Sequence, residues 1–216
     1  MARKAGVAVE PAGDAPVKRG RGRPKEPIRR ARLLEIAAML FATQGFTKTT
    51  VRDIADAAGM MSGSLYHHFP SKEAILDEIL RNYLGGLYES YAEIEASSDD
   101  PRVIVDALIV HTLTVIQENP YAVALYQDEA KVILGSPDYE WIIENSKNVE
   151  AVWVRAIESG RKSGVFRKEI DAGVTYRFIR DTVWSVVRWY RPGGRLDAQT
   201  ISNQYLMLIH GGMLAD

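Results

Sequence analysis

From residue 33 onward, apolar side chains return at the helical period, and nowhere do they alternate long enough to build a sheet. Leu33, Ala37, Leu40 and Phe41 make one face of a first helix, which Gln44-Gly45 ends with a glycine C-cap. Thr49-Thr50 offers the next N-cap, with Asp53 three residues after Thr50 in a capping-box position. Val51, Ile54, Ala55 and Ala58 form the buried side of this short helix, and Gly59 stops it. Ser62 reads as the N-cap of a very short third helix through Leu65-Tyr66-His67-His68. Pro70-Ser71 breaks and recaps, and Lys72 begins a longer helix carrying Ala74, Ile75, Ile79 and Leu80.

The remainder repeats this grammar. Ser97 to Pro101 is a cap-and-start signal for a stripe running to Ile116, and Asn119-Pro120 breaks it. Helices are expected over 121–134 and 138–161, then one continuous helix from Asp171 to Tyr190. Asp197 caps a last helix, expected to run to about His210 before Gly211-Gly212. The expected fold class is all-α. Three domains are expected: a basic arm over 1–26, a three-helix unit over 27–72, and a helical body over 73–216.

Charge divides the chain where the helices begin. Residues 1–32 hold ten Lys/Arg against three acids, a net of +7, whereas the rest holds 17 bases against 25 acids, a net of −8. A basic end on an acidic body suits a polyanion partner there, although a solvated tail has the same composition. The arm has almost no large apolar residues and cannot order by burial alone.

Within residues 28–69, the second and third helices are joined by a tight turn at Gly59-Met60-Met61, the helix-turn-helix layout. The stretch TTVRDIADAAGMMSGSLYHHFPSKEAIL resembles the N-terminal domain of the TetR family. The likeness covers roughly 30–80 and combines Ala38, Phe41, Gly45, Thr50, Ile54-Ala55, Ala58-Gly59, Leu65-Tyr66, Phe69 and Ser71-Lys72-Glu73. Met61 departs from it, standing where the family often has a small polar residue, and weakens a cap. The resemblance implies a DNA-binding repressor. The start of the second helix and the Thr50 hydroxyl meet a phosphate. Ser62, Ser64, Tyr66 and His67 lie on or beside the recognition helix, with Ser64 and His67 nearer the bases. Tyr66 and Lys72 hold backbone phosphates, and Gly63 permits close approach to the groove. Packing is the competing role for Tyr66 and the favoured one for His68.

Gly20-Arg21-Gly22-Arg23-Pro24-Lys25 contains the Arg-Gly-Arg-Pro core seen in AT-hook peptides. Flat Arg-Gly-Arg segments fit a narrow A·T-rich minor groove, so Arg21 and Arg23 are candidate contacts beside the main site.

In the body, the expected Asp171–Tyr190 helix carries three stripes. Val174, Phe178, Asp181, Thr182 and Ser185 share one side; Ile179, Val183, Val186, Val187 and Tyr190 share a more apolar one, assigned to packing within or between subunits. The third holds Arg177, Arg180, Trp184, Arg188 and Arg191. Guanidiniums at this density suit phosphate or carboxylate ligands, while surface or interface ion pairs to the acidic body explain the spacing as well. Tyr176 to Trp184, Val187 to Gly194 and Val123 to Ala130 resemble one subgroup, the actinobacterial TetR-type repressors of steroid-ring breakdown. That resemblance implies a coenzyme A thioester effector contacted by Arg180 and Trp184, with Arg177, Arg188 and Tyr126 nearby. It also implies a homodimer on a two-fold operator.

Other classes find little support. With no cysteine, disulfides, thiolate metal sites and cysteine nucleophiles are excluded. The four histidines include the adjacent His67 and His68, poor ligand geometry for a metal sensor. There is no Gly-rich phosphate loop or nucleophile elbow, and no cofactor is implied. Met1 to Pro16 lacks the apolar core of a signal peptide and no run approaches a membrane span, so a cytoplasmic protein is expected. The runner-up is a drug-efflux or other lipid-metabolism regulator of the same fold with a different apolar effector.

Overall fold

The computed structural model describes residues 30–128, 139–191 and 193–214, and within them the chain is helical, with one isolated bridge between Phe166 and Leu214. The head comprises α1 (Arg30–Gln44), α2 (Val51–Ala57) and α3 (Ser62–Tyr66). Gly45 ends α1 at φ 88°, where a left-handed backbone favours glycine. Thr50 caps α2 in a full capping box: its hydroxyl accepts from the Asp53 N–H at 3.2 Å, and the Asp53 carboxylate accepts from the Thr50 N–H at 2.8 Å. The α2–α3 turn is a Schellman motif, with Gly59 at φ 67°, Met60 N–H donating to Ala55 C=O and Gly59 N–H to Asp56 C=O. Leu33, Ala37, Phe41, Ile54, Ala55, Leu65 and Phe69 fill the head's core.

Ser71 caps α4 (Lys72–Ala96), its hydroxyl accepting from the Ala74 N–H. This helix leaves the head and crosses the body, burying Tyr83, Leu84, Leu87 and Tyr91. Asp100 caps α5 (Pro101–Glu118), and α6 (Pro120–Asp128) turns back to pack on α1. Next come α7 (Glu140–Ser163), α8 (Ala172–Trp184), α9 (Val186–Trp189) and α10 (Ala198–Met213). α7 packs on α4, α5 and α8, while α10 lies along α5. At Gly160 an added Cβ would stand 2.2 Å from the Phe166 ring, so only glycine lets that ring seat against α7.

Three sequence expectations change. Ser62 is the first residue inside α3, and its N-cap is Met61, whose side chain supplies no cap bond. The helices expected over 121–134 and 138–161 are present as Pro120–Asp128 and Glu140–Ser163, and the stretch of those expectations over 129–138 lies outside the described residues. The Asp171–Tyr190 helix breaks at Ser185. There the Trp184 C=O accepts from Gln127 Nε2 at 3.2 Å, and the Arg188 N–H turns to Ser185 C=O. Thr182 and Ser185 hydroxyls also donate back to Phe178 and Thr182 carbonyls, which bends helices. Finally, α10 continues through Gly211-Gly212, because Arg167 N–H donates to Met213 C=O and Met213 is buried. The helix is held from outside, which outweighs the weak propensity of two glycines.

Candidate DNA-reading head and effector region

On α3 and just after it, Leu65 is fully buried and Phe69 nearly so, which turns Gly63, Tyr66 and His67 outward. Tyr66 keeps 55% of its surface exposed, too much for a packing residue. Ser62 and Ser64 are half-buried and His68 is exposed. The His68 carbonyl accepts from Arg30, whose guanidinium also pairs with both Glu78 oxygens and lies over the Phe69 ring. Thr50 is exposed, and its hydroxyl serves the α2 cap, also donating to Asp53 at 2.7 Å. Those hydrogen bonds from Thr50 hold the Asp53 carboxyl below its usual range.

The Lys72 ammonium donates to three carbonyls, Phe46 at 2.9 Å, Thr49 at 3.2 Å and Thr47 at 3.3 Å, and stands over the Phe46 ring. In this geometry it fastens the start of α4 to the α1–α2 turn. Two further bases on the same unit, Lys48 and Arg52, are exposed and escaped sequence reasoning. Their position beside the Thr50 cap was the available signal. Arg21 and Arg23 lie outside the described residues.

In the body, three of the five candidate effector residues converge. The Trp184 ring meets the Tyr83 ring edge-on at 6.3 Å, and Tyr83 lies 6.0 Å from the Tyr126 ring. The Tyr126 hydroxyl bonds Ser146 at 3.0 Å. The Arg180 guanidinium bonds Asp181 at 2.7 Å and reaches over the Tyr176 ring. Burial pushes the Tyr176 hydroxyl up to about 12 and Tyr83 well above its ordinary value. Both stay neutral at physiological pH. Arg177 and Arg188 stand exposed on the surface. Among the described residues, Arg180 alone of the arginine stripe forms an ion pair within the chain.

The cavity bounded by Arg180, Trp184, Tyr176, Tyr91 and Trp153 measures about 10 Å³, about enough for one water-sized sphere. The open space is elsewhere. A cleft of about 460 Å³ lies between α1, α4, α5 and α6, walled by Leu34, Ala38, Ile79, Leu87, Val115 and others, and it includes Tyr83 and His111. None of the five candidate effector residues lines it. No sequence signal marked it, since its lining mixes aliphatic residues with Glu35, Asn82, Ser90 and Glu118, brought together from separate helices.

The head's geometry, a buried-backed recognition helix behind a capped positioning helix, is that of a DNA-binding regulator. The profile described as "Bacterial regulatory proteins, tetR family" matches residues 33–79, and "Tetracyclin repressor-like, C-terminal domain" matches 100–213. The chain belongs to the TetR family. Among its relatives is the HTH-type transcriptional repressor KstR2 of Rhodococcus jostii, 47% identical over 86% of this chain and 91% of that protein. The Mycobacterium tuberculosis KstR2 repressor is 45% identical over 86% of this chain and 92% of its own length. A solved structure of the ketosteroid transcriptional regulator KstR2 of M. tuberculosis superposes with a TM-score of 0.84, at 44% identity over 88% of this chain and 96% of that one.

Proposed function

We propose that this regulator is a homodimeric repressor, released from its operator by a coenzyme A thioester derived from steroid-ring breakdown. The observation that carries this is the cavity shared by Arg180 and Trp184, with Trp184 and Tyr126 both against Tyr83, in a chain 47% identical to a KstR2 repressor. Arg180 offers a guanidinium beside aromatic walls, and exposed Arg177 and Arg188 extend the positive charge outward for a polyanionic ligand. The small cavity opens on ligand entry by displacement of the aromatic rings.

Residues 27–72 form the reading unit and 73–216 the effector-binding and dimerising body. Ser64 and His67 face bases, and Tyr66, the backbone start of α2 at Thr50 and the first turn of α3 at Ser62 face phosphates. Gly63 keeps the approach close. Lys72 contributes positive potential to the phosphate path while it fixes α4. Arg21 and Arg23 of the 1–26 arm enter the adjacent minor groove; deleting residues 1–25 lowers affinity and flattens its salt dependence. The dimer face is the exposed apolar set of Val174 and Phe178 on α8 with Met207 and Leu208 on α10; Phe178 and Leu208 are 69% and 75% exposed in the single chain. No helix among the described residues is long and apolar enough to cross a membrane, and the reading places the protein in the cytoplasm with DNA.

One observation favours the runner-up: the cleft between α1, α4, α5 and α6 is mostly apolar and holds no lysine or arginine, as suits an uncharged effector of an efflux or lipid regulator. Fluorescence anisotropy on labelled DNA from upstream of the protein's own gene separates the two. Release by a steroid-derived CoA thioester, with none by free coenzyme A, is the expected result. Tight, salt-sensitive binding that the thioester leaves intact would overturn the effector.

A further inference from the structure

We infer that Met61 reads a thymine methyl group in each half-site of the operator, as an apolar specificity contact beside the recognition helix. The inference rests on the reading of α3 as the base-facing helix. Met61 is 78% exposed, the most exposed large apolar side chain among the described residues. The next three, Leu208, Phe178 and Met207, belong to the dimer face proposed above, which gives them a cover. Met61 belongs to the head, beside exposed Gly63, Tyr66 and His67, where the arriving partner is DNA. Its neighbour Met60 is half-buried against the core, so of two adjacent methionines one packs and the other stands out.

The position is one where a polar residue would serve the fold better. Met61 is the N-cap of α3, and its side chain makes no cap bond. A serine, threonine, asparagine or aspartate there would accept a helix N–H, and the chain forgoes that gain. Departures of this kind from local preference collect at functional sites. The chemistry of DNA narrows what the side chain can do. A thioether has no charge and no N–H or O–H to donate, so it cannot hold a phosphate. The readable groups on base edges in the major groove are hydrogen-bond donors and acceptors, with the C5 methyl of thymine as the apolar exception. An exposed thioether docked there gains by burial against that methyl. Ser62, Gly63 and Ser64 are small, and an added Cβ at Gly63 meets nothing within 4 Å, so little beside the thioether holds the groove away from it.

Uracil pairs as thymine does and lacks only the methyl, so it isolates the contact. Operator DNA from upstream of the protein's own gene is made with each thymine replaced by uracil in turn, at equivalent positions of both half-sites. Each duplex is titrated by fluorescence anisotropy with the full-length wild type, Met61→Leu and Met61→Ser. One thymine position should show a loss of about fourfold per half-site, as for withdrawing one methyl-sized group from a buried contact, and roughly tenfold or more for the pair. Met61→Leu should keep that penalty and Met61→Ser should lose it, whatever each substitution does to overall affinity. Equal penalties in wild type and Met61→Ser, or no penalty at any thymine, overturn the inference. Ser64→Ala and His67→Ala separate this failure from failure of the α3 reading. If they relax base preference while no uracil penalty depends on Met61, α3 reads the operator and Met61 does not. If they also leave base preference unchanged, α3 is not the base-facing helix and the Met61 contact falls with it.

Discussion

Among the described residues, the head leaves no buried side-chain polar atom unmet, and the body leaves two. In the head, Thr50 and Asp53 bond reciprocally, Ser71 caps α4, Arg30 grips both oxygens of Glu78, and Lys72 satisfies three carbonyls. In the body, Tyr83 and His111 each bury a polar atom that meets no partner. An unmet buried donor costs about 1–3 kcal/mol, which a ligand that completes the bond recovers. The head is held in one shape by bonds between near neighbours, and the body keeps two buried atoms whose bonds a bound ligand could complete.

Breaking the body's half of this contrast should have the largest effect. Arg180→Ala should retain wild-type operator affinity and lose release altogether, a shift of at least 100-fold in the thioester concentration needed, read by anisotropy. Normal release would remove Arg180 from the effector site. Next, Gly160→Leu drives a side chain into Phe166 and should cost about 1–3 kcal/mol by denaturant unfolding, with DNA contacts untouched. An unchanged midpoint would mean that Phe166 can move aside.

In the head, Thr50→Ala removes the α2 cap and should cost about 1 kcal/mol, with weaker operator binding. Its pH dependence sharpens the point. Asp53 is held below its ordinary value by bonds to Thr50, so its contribution is present above about pH 4 and fades as pH falls through the lower folded value. The gap between wild type and Thr50→Ala should therefore narrow in acid; a constant gap would show that Asp53 has no part in the cap. The smallest effect is Tyr83→Phe, which removes an unmatched hydroxyl and should leave the unliganded protein as stable or up to about 1 kcal/mol more so. A loss of stability would mean the hydroxyl has a partner after all.

The same contrast governs what was legible in the sequence. The head is specified locally: Thr50 with Asp53, Gly59 at a left-handed turn and Ser71 before Lys72 each act within a few residues of themselves. Even there Ser62 misled, because a serine one position late looks like a cap when the true cap is an unhelpful Met61. The body is specified at a distance. The break at Ser185 depends on Gln127, 57 residues from Trp184, and the run of α10 through two glycines depends on Arg167. Arg180 and Trp184 stood out as unusual residues at helical spacing, but the cleft beside them is a shape left between four helices, and no residue type announces it.

The triple anchorage of Lys72 turns α4 into a lever. At 1.5 Å per residue, its 25 residues span about 37 Å, from the reading unit to beyond Tyr91. A tilt of about 5° about the far end would swing the anchored end by about 3 Å, and a two-fold pair would change the gap between heads by about 6 Å, against a groove repeat of roughly 34 Å. A displacement no wider than one side chain, made deep in the body, would thus be geared up into a misfit on DNA, with little of the stroke lost at a fastening that grips three carbonyls at once.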